Sequence, residues 1–350
     1  MEEAANRFRR ACDHYERALP LATGSELKSQ LYAKLAIANF NAGDIADTIR
    51  WAETGIADQA TGKTLTVLHS IAGLGYRNLG DLASALAHDQ RHYELVVAEG
   101  NPKRISEALV KLASLESYQG KFQSALELCE RAHATFPQEN RIVGITEHEI
   151  LKLLGRFAEA RRALIQSRGA TPAFIPRLED RTSGATELAL SKLAAEAGDA
   201  REAREAYAVG RAALEGDDKL MVFADALHAW ILALEGAGAE SADQIVYAEG
   251  RSANVAGSAS TLRDIFTMLT WAALIIGDYR NARRYAERYL ELRPYPAYAT
   301  IAYYQVGEAY LGLGDTAQAA DAYERVIALN CATYASGQAI ARLEQIRQTE

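Results

Sequence analysis

The sequence predicts an all-α solenoid assembled from helical hairpins, and three observations predict it. Glycines at 43, 80, 120, 155, 198, 238, 277 and 314 recur at intervals of 35 to 43 residues, often followed by aspartate and, five positions on, by a small residue. A repeat of that length along nearly the whole chain is the mark of stacked supersecondary units that each contact only their neighbours. The apolar residues between these glycines are mostly alanine and leucine, which favour helix. All seven prolines (20, 102, 137, 172, 176, 294 and 296) fall between the proposed hairpins. Inside a helix each would cost about 3 kcal/mol.

In chain order, residues 1–20 come first. Phe8, Ala11, Tyr15 and Ala18 have the spacing of a second helix with no complete first helix before them, so this segment is expected to be a cap or the remnant of a truncated repeat. Residues 25–332 hold eight hairpins. The last is the clearest: Ile301–Leu313 reads as one helix and Thr316–Leu329 as the next, with Gly314-Asp315 between them. Glycine accepts the left-handed backbone that ends a helix, and aspartate accepts N–H groups at the start of the next. Gly307 and Ala319 let the paired helices approach, with Tyr323 lying close against the first. Residues 334–350 form a C-terminal capping helix with Ile340, Leu343 and Ile346 on one side. Residues 168–184, with Phe174 and Ile175, and residues 250–261, small and polar, carry little hairpin pattern and are expected as loops.

The run Gly307, Tyr310, Gly314, Ala319, Tyr323 resembles the tetratricopeptide repeat. The same pattern appears in Gly73, Tyr76, Gly80, Ala85; in Gly120, Phe122, Ala125, Ala132, Pro137; in Gly155, Phe157, Ala160, Pro172; and in Gly277, Tyr279, Ala282, Pro294. Weaker units rest on Gly43, on Gly198 with Ala203 and Tyr207, and on Gly238 with Tyr247. The mean interval of about 39 residues exceeds the family's usual length of about 34, as in the sensory arrays of bacterial signalling proteins. The resemblance implies a right-handed α–α superhelix of about eight hairpins with capping helices, in which first helices line a concave groove.

Composition narrows the function. Hydrophobic residues make up 49% and charged residues 24% of the 350, so the chain can bury a continuous core and stay hydrated outside. A net charge of −8 opposes nucleic-acid binding, which needs clustered positive charge. No apolar run long enough for a membrane span and no secretory leader pattern occur, and Cys12, Cys129 and Cys331 form no CxxC pair. Cytoplasmic location and buried free thiols are expected. His88 and His92 stand four apart with Asp89 between them, a spacing that can hold a metal. Without an HExxH motif, a solvated helix face is the expectation. Glu147-His148-Glu149 points in three directions from a helix and suits no joint catalysis. Gly73-Leu74-Gly75 has no strand before it and is no phosphate loop. No enzyme activity, cofactor or metal is expected.

The family frame projects Phe40, Asn41, Arg77, Asn78, Ser117, Tyr118, Lys152, Lys192, His228, Trp271, Tyr304 and Glu308 onto the groove, with Ser70, Ser114, Glu149, Glu196 and Glu235. Ala33 and Ser70 stand where the family's carboxylate clamp needs longer polar residues, so the full clamp is absent. The expected function is a non-catalytic scaffold binding a peptide or protein segment bearing both signs of charge. The alternative is the regulatory domain of a larger bacterial signalling protein, such as a kinase, cyclase or transcriptional regulator. An enzyme with a dispersed active site is the third reading.

Overall fold

The computed structural model describes residues 2–137, 140–167, 182–214, 218–255 and 259–349. Phe174, Ile175, Pro172 and Pro176 lie outside them. The described residues form helices and no strand. In order these are α1 (Glu2–Ala18), a short 3-10 turn (Leu19–Leu21), α2 (Ser25–Ala42), α3 (Ile45–Ala57), α4 (Gly62–Leu79), α5 (Leu82–Glu99), α6 (Pro102–Tyr118), α7 (Phe122–Thr135), α8 (Asn140–Leu153) and α9 (Phe157–Gln166). The chain continues with α10 (Thr182–Glu196), α11 (Ala200–Ala212), α12 (Asp218–Leu234), α13 (Gly238–Ser252), a 3-10 turn (Ala253–Val255), α14 (Ala259–Ile275), α15 (Tyr279–Glu291), α16 (Pro296–Gly312), α17 (Thr316–Ala328) and α18 (Tyr334–Thr349). Among the described residues no helix is long and apolar enough to cross a membrane.

The chain divides into two compact units, Met1–Leu115 with Glu127–Pro137, and Glu116–Leu126 with Gln138–Glu350. In the first unit α1 packs on α2, α2 on α3, α3 on α4 and α4 on α5. Ala33, Ala36, Ala52, Leu68, Ile71 and Ala72 are buried there, flanked by Tyr32, Phe40 and Trp51. In the second unit α8 pairs with α9, α10 with α11, α12 with α13, α14 with α15 and α16 with α17, and α18 covers α16 and α17. Successive first helices also touch, α10 with α12, α12 with α14 and α14 with α16. That contact lets Leu227, Ile231, Ile265 and Leu269 share one core instead of leaving each hairpin half wet. Each such side chain contributes about 1.5–3 kcal/mol on burial.

The turns follow the local chemistry. Gly314 has φ 80°, and the N–H groups of Gly314 and Asp315 donate to the carbonyls of Leu311 and Tyr310, closing α16. The Asp315 carboxylate then accepts the Gln318 N–H and opens α17. Asp44, Asp81, Asp199 and Asp278 cap α3, α5, α11 and α15 in the same way. One turn differs from expectation. The left-handed residue after α12 is Gly236, with φ 78°, whereas Gly238 opens α13. Both glycines tolerate the conformation, and the capping bonds from Gly236 and Ala237 to Ala233 and Leu232 select the earlier one. Residues 250–261 also differ, since α13, the second 3-10 turn and α14 occupy all of them but 256–258, which lie outside the described residues. Small residues weaken a helix without forbidding it, and packing decides. Pro102 and Pro296 each open a helix, where no backbone N–H donor is required.

At Gly307 an added Cβ would sit 2.3 Å from the Tyr323 ring, so the absent side chain is what admits the tyrosine. Tyr323 is then fully buried and its hydroxyl donates to Glu308 at 2.7 Å. All three cysteines are buried free thiols.

Candidate ligand-binding cleft

The first helices of the second unit carry their charged residues inward. Glu149 and Lys152 lie three apart on α8, and Lys192 and Glu196 four apart on α10, so each pair shares a face. Asp264 on α14 and Tyr298 on α16 meet them. Two adjoining cavities result, of about 270 and about 260 Å³, and both are lined by Glu149, Lys152, Lys192 and Asp264. Leu188, Ala189 and Phe223 give the first an apolar wall, and Tyr289, Tyr295 and Tyr298 give the second an aromatic one.

The charges are coupled. Lys152 Nζ lies 2.7 Å from Glu149 Oε2, and Lys192 Nζ lies 2.5 Å from Asp264 Oδ1 and 3.9 Å from Glu196 Oε1. The Tyr298 hydroxyl donates to Glu149 Oε2 at 3.2 Å. Burial pushes the Glu149 carboxyl up, but Lys152, His148 and Lys192 outweigh it and hold the group at about 2. Burial likewise disfavours charge on Lys152, yet Glu149 and Glu196 keep its ammonium above the ordinary lysine value. At Glu196 burial wins, and the carboxyl is raised in spite of the two lysines. Burial and the neighbouring Glu149 raise Tyr298 well above a free phenol, so it stays a donor. His148 Nδ1 donates to the Ala160 carbonyl at 3.2 Å, and burial lowers the imidazole to about 4, leaving it neutral.

At the rim Tyr118 stacks on Tyr295, with ring centroids 4.2 Å apart and planes 11° from parallel, and its centroid is 6.1 Å from that of Tyr298. Arg263 lies over the Tyr295 ring at 5.7 Å. Of the residues the sequence projects onto a groove, the structure thus brings together Tyr118, Lys152 and Lys192, with Glu149 and Glu196. The rest go elsewhere. Trp271 is half-buried between Trp230 and Tyr304, and Tyr304 is buried against Tyr323. Glu308 accepts from Tyr323 and Arg342. His228 stacks on Tyr207 with its Nε2 facing Arg204, and Ser117 is buried. In the first unit Phe40 flanks the core, while Asn41 and Asn78 turn their amides back to the carbonyls of Ile37 and Leu74.

Asp264, Tyr295, Tyr298 and Arg263 escaped the sequence reading. Asp264 stands two turns before Trp271, on the same helix face, and that spacing was a usable signal. Nothing local ties Tyr298 to Glu149, which is 149 positions away.

The expectation of a solvated face at His88, Asp89 and His92 is overturned. Asp89 and His92 are buried, because α5 turns this face onto α4. Gly73 makes the room, since a Cβ there would lie 2.6 Å from Asp89 Oδ1. Arg77 Nη2 pairs with Asp89 Oδ2 at 2.6 Å. His69 and His88 face each other at 3.0 Å, and His88 Nε2 and the Tyr76 hydroxyl reach Glu53 at 3.0 and 2.9 Å. Among the described residues no group of three or more His, Cys, Asp or Glu side chains is arranged to hold a metal ion.

Family models described as tetratricopeptide repeat match residues 63–138 and residues 301–330. These two stretches carry tetratricopeptide repeats. Solved structures share the fold of this chain over most of its length. A Rap protein complexed with Competence and Sporulation Factor aligns over 97% of this chain and 99% of its own, at TM-score 0.61 and 12% identity. The apo form of the quorum sensor NprR from B. thuringiensis aligns over 94% and 98%, at TM-score 0.61 and 11% identity. A tetratricopeptide repeat protein from Parabacteroides merdae aligns over 79% and 96%, at TM-score 0.51 and 16% identity. At such identities the likeness is one of fold. No curated protein matches the chain by sequence.

Proposed function

We propose that this protein is a non-catalytic binding module whose second unit takes a short peptide, or an exposed segment of a protein partner, in the cleft between its first helices. The observation that carries this reading is the pair of adjoining cavities lined by Glu149, Lys152, Lys192 and Asp264 beside a wall of tyrosines. A peptide presents donors, acceptors and both signs of charge at short intervals, and this lining offers partners for each. Tyrosines bury much area while freezing few torsions, which suits them to anchor a flexible ligand. Cavities of this size fit a few residues rather than a folded surface. His148, the histidine at the cleft, is neutral and held by the Ala160 carbonyl, an arrangement that supports a structural role rather than proton transfer.

A regulatory role is favoured by a separate observation. Two proteins of similar fold are described as a quorum sensor and as a Rap protein complexed with Competence and Sporulation Factor. Both align over nearly their whole length, which supports ligand sensing, alone or as part of a larger signalling protein, as the use to which the cleft is put.

The test is retention of a synthetic random pentapeptide library on the immobilised full chain, read by mass spectrometry. Defined peptides should be retained by the wild type and lost from Lys152→Met and Tyr298→Phe variants that melt normally. Equal retention by both variants would contradict the assignment of the cleft.

A further inference from the structure

We infer that Glu196 forms a cation subsite within this cleft, taking the ammonium or guanidinium group of the bound peptide. The inference rests on the peptide-binding reading above and names the chemistry the peptide must carry. The Glu196 side chain is only 7% exposed, it lines the cavity of about 260 Å³, and its Oε2 is buried without a hydrogen-bond partner among the described residues. A buried carboxylate oxygen lacking a donor is destabilising, and native structures retain few of them.

The cleft's own cations do not supply the missing donor. Lys152 is engaged by Glu149 at 2.7 Å and Lys192 by Asp264 at 2.5 Å. The remaining distance from Lys192 to Glu196, 3.9 Å to Oε1, is beyond a hydrogen bond and leaves Oε2 untouched. Arg263 rests over Tyr295. A cation entering the cavity would meet a carboxyl group one of whose oxygens has no donor among the described residues.

The surroundings select charge over mere hydrogen bonding. Tyr289 and Tyr298 line the same cavity, and aromatic rings attract ammonium and guanidinium groups. Burial raises the Glu196 carboxyl, and a cation offsets that cost more fully than a neutral donor does, since it adds charge attraction to the hydrogen bond. Ligand binding and ionisation of Glu196 are therefore linked, and a basic side chain or a free amino terminus gains most.

The experiment uses the full chain, wild type and Glu196→Gln, with the random pentapeptide library in two forms, amino terminus free and amino terminus acetylated. Charge-assisted hydrogen bonds predict that peptides with a cationic group are enriched about tenfold or more on the wild type. Enrichment of Lys and Arg in the acetylated library identifies the side chain as the source, and retention confined to the free library identifies the amino terminus. Glu196→Gln should still retain peptides but show neither bias, and should melt no lower than the wild type. Retention by the wild type with no bias toward cationic groups, or a bias that persists in Glu196→Gln, overturns the subsite while leaving peptide binding intact. Failure of the wild type to retain any peptide overturns both. A melting temperature of Glu196→Gln several degrees lower would assign the carboxylate to holding Lys192 instead.

Discussion

Both units of this protein bury charge, but they use it differently. In the first, Asp89 is fully buried and closed over by Arg77, with Gly73 shaped to admit the carboxylate. Arg77 Nη2 and Asp89 Oδ2 are held 2.6 Å apart. In the second, Glu149, Lys152, Lys192 and Asp264 also pair with one another, yet they line open cavities, and Glu196 keeps an oxygen without a donor. Buried charge therefore does not mark a binding site by itself. What separates the two regions is the cavity beside the charges, since Asp89 Oδ1 in the first unit is, like Glu196 Oε2, buried without a donor among the described residues.

The largest effect is expected on opening the pair in the first unit. Arg77→Ala should destabilise the protein by about 3–5 kcal/mol, because it removes the hydrogen-bonded partner of the buried Asp89 carboxylate. Urea denaturation of the full chain measures it, and a loss below about 1 kcal/mol would mean that water already reaches Asp89. Next in size is a packing test in the second unit. Gly307→Ala drives a Cβ into the Tyr323 ring and should cost about 1–3 kcal/mol, with the hydroxyl contact to Glu308 disturbed. An unchanged melting temperature would show that Tyr323 can move aside freely.

Acid sharpens the contrast at the cleft. The Glu149 carboxyl lies at about 2 in the folded protein against an ordinary 4.5, so its charged form stabilises the fold above about 4.5. That contribution is lost as pH falls from about 4.5 to about 2. Thermal melts across this range should fall less steeply for Glu149→Gln than for the wild type, and parallel curves would place Glu149 in ordinary solvent. The smallest effect is expected at the rim, where Tyr118→Leu removes the stack on Tyr295 and should cost about 0.5–1.5 kcal/mol. A double-mutant cycle with Tyr295→Leu isolates that coupling, and additive losses would dissolve it.

The hairpin order was readable because the units mark their turns with a glycine, followed in five of the eight by an N-capping aspartate, and because proline avoids helix interiors. Glu235-Gly236-Ala237-Gly238 misled by one position pair, since two glycines two residues apart are equally permissive and only the capping bonds separate them. The face bearing His88 and His92 was misread for a different reason. Polar residues at helical spacing look solvated until a partner such as Arg77 and a vacancy such as Gly73 are placed opposite them. At the cleft, Lys152 and Lys192 were legible from repeat register. The stacking of Tyr118 on Tyr295 was not, since it joins residues 177 positions apart and depends on how the intervening hairpins accumulate their rotation.

The most direct measurement is amide hydrogen exchange on the full chain with and without a saturating pentapeptide selected from the library. Peptide in the cleft should slow exchange in α8, α10, α14 and the start of α16 and leave α4 and α5 unchanged. Protection confined to α4 and α5, or spread evenly over both units, would contradict it.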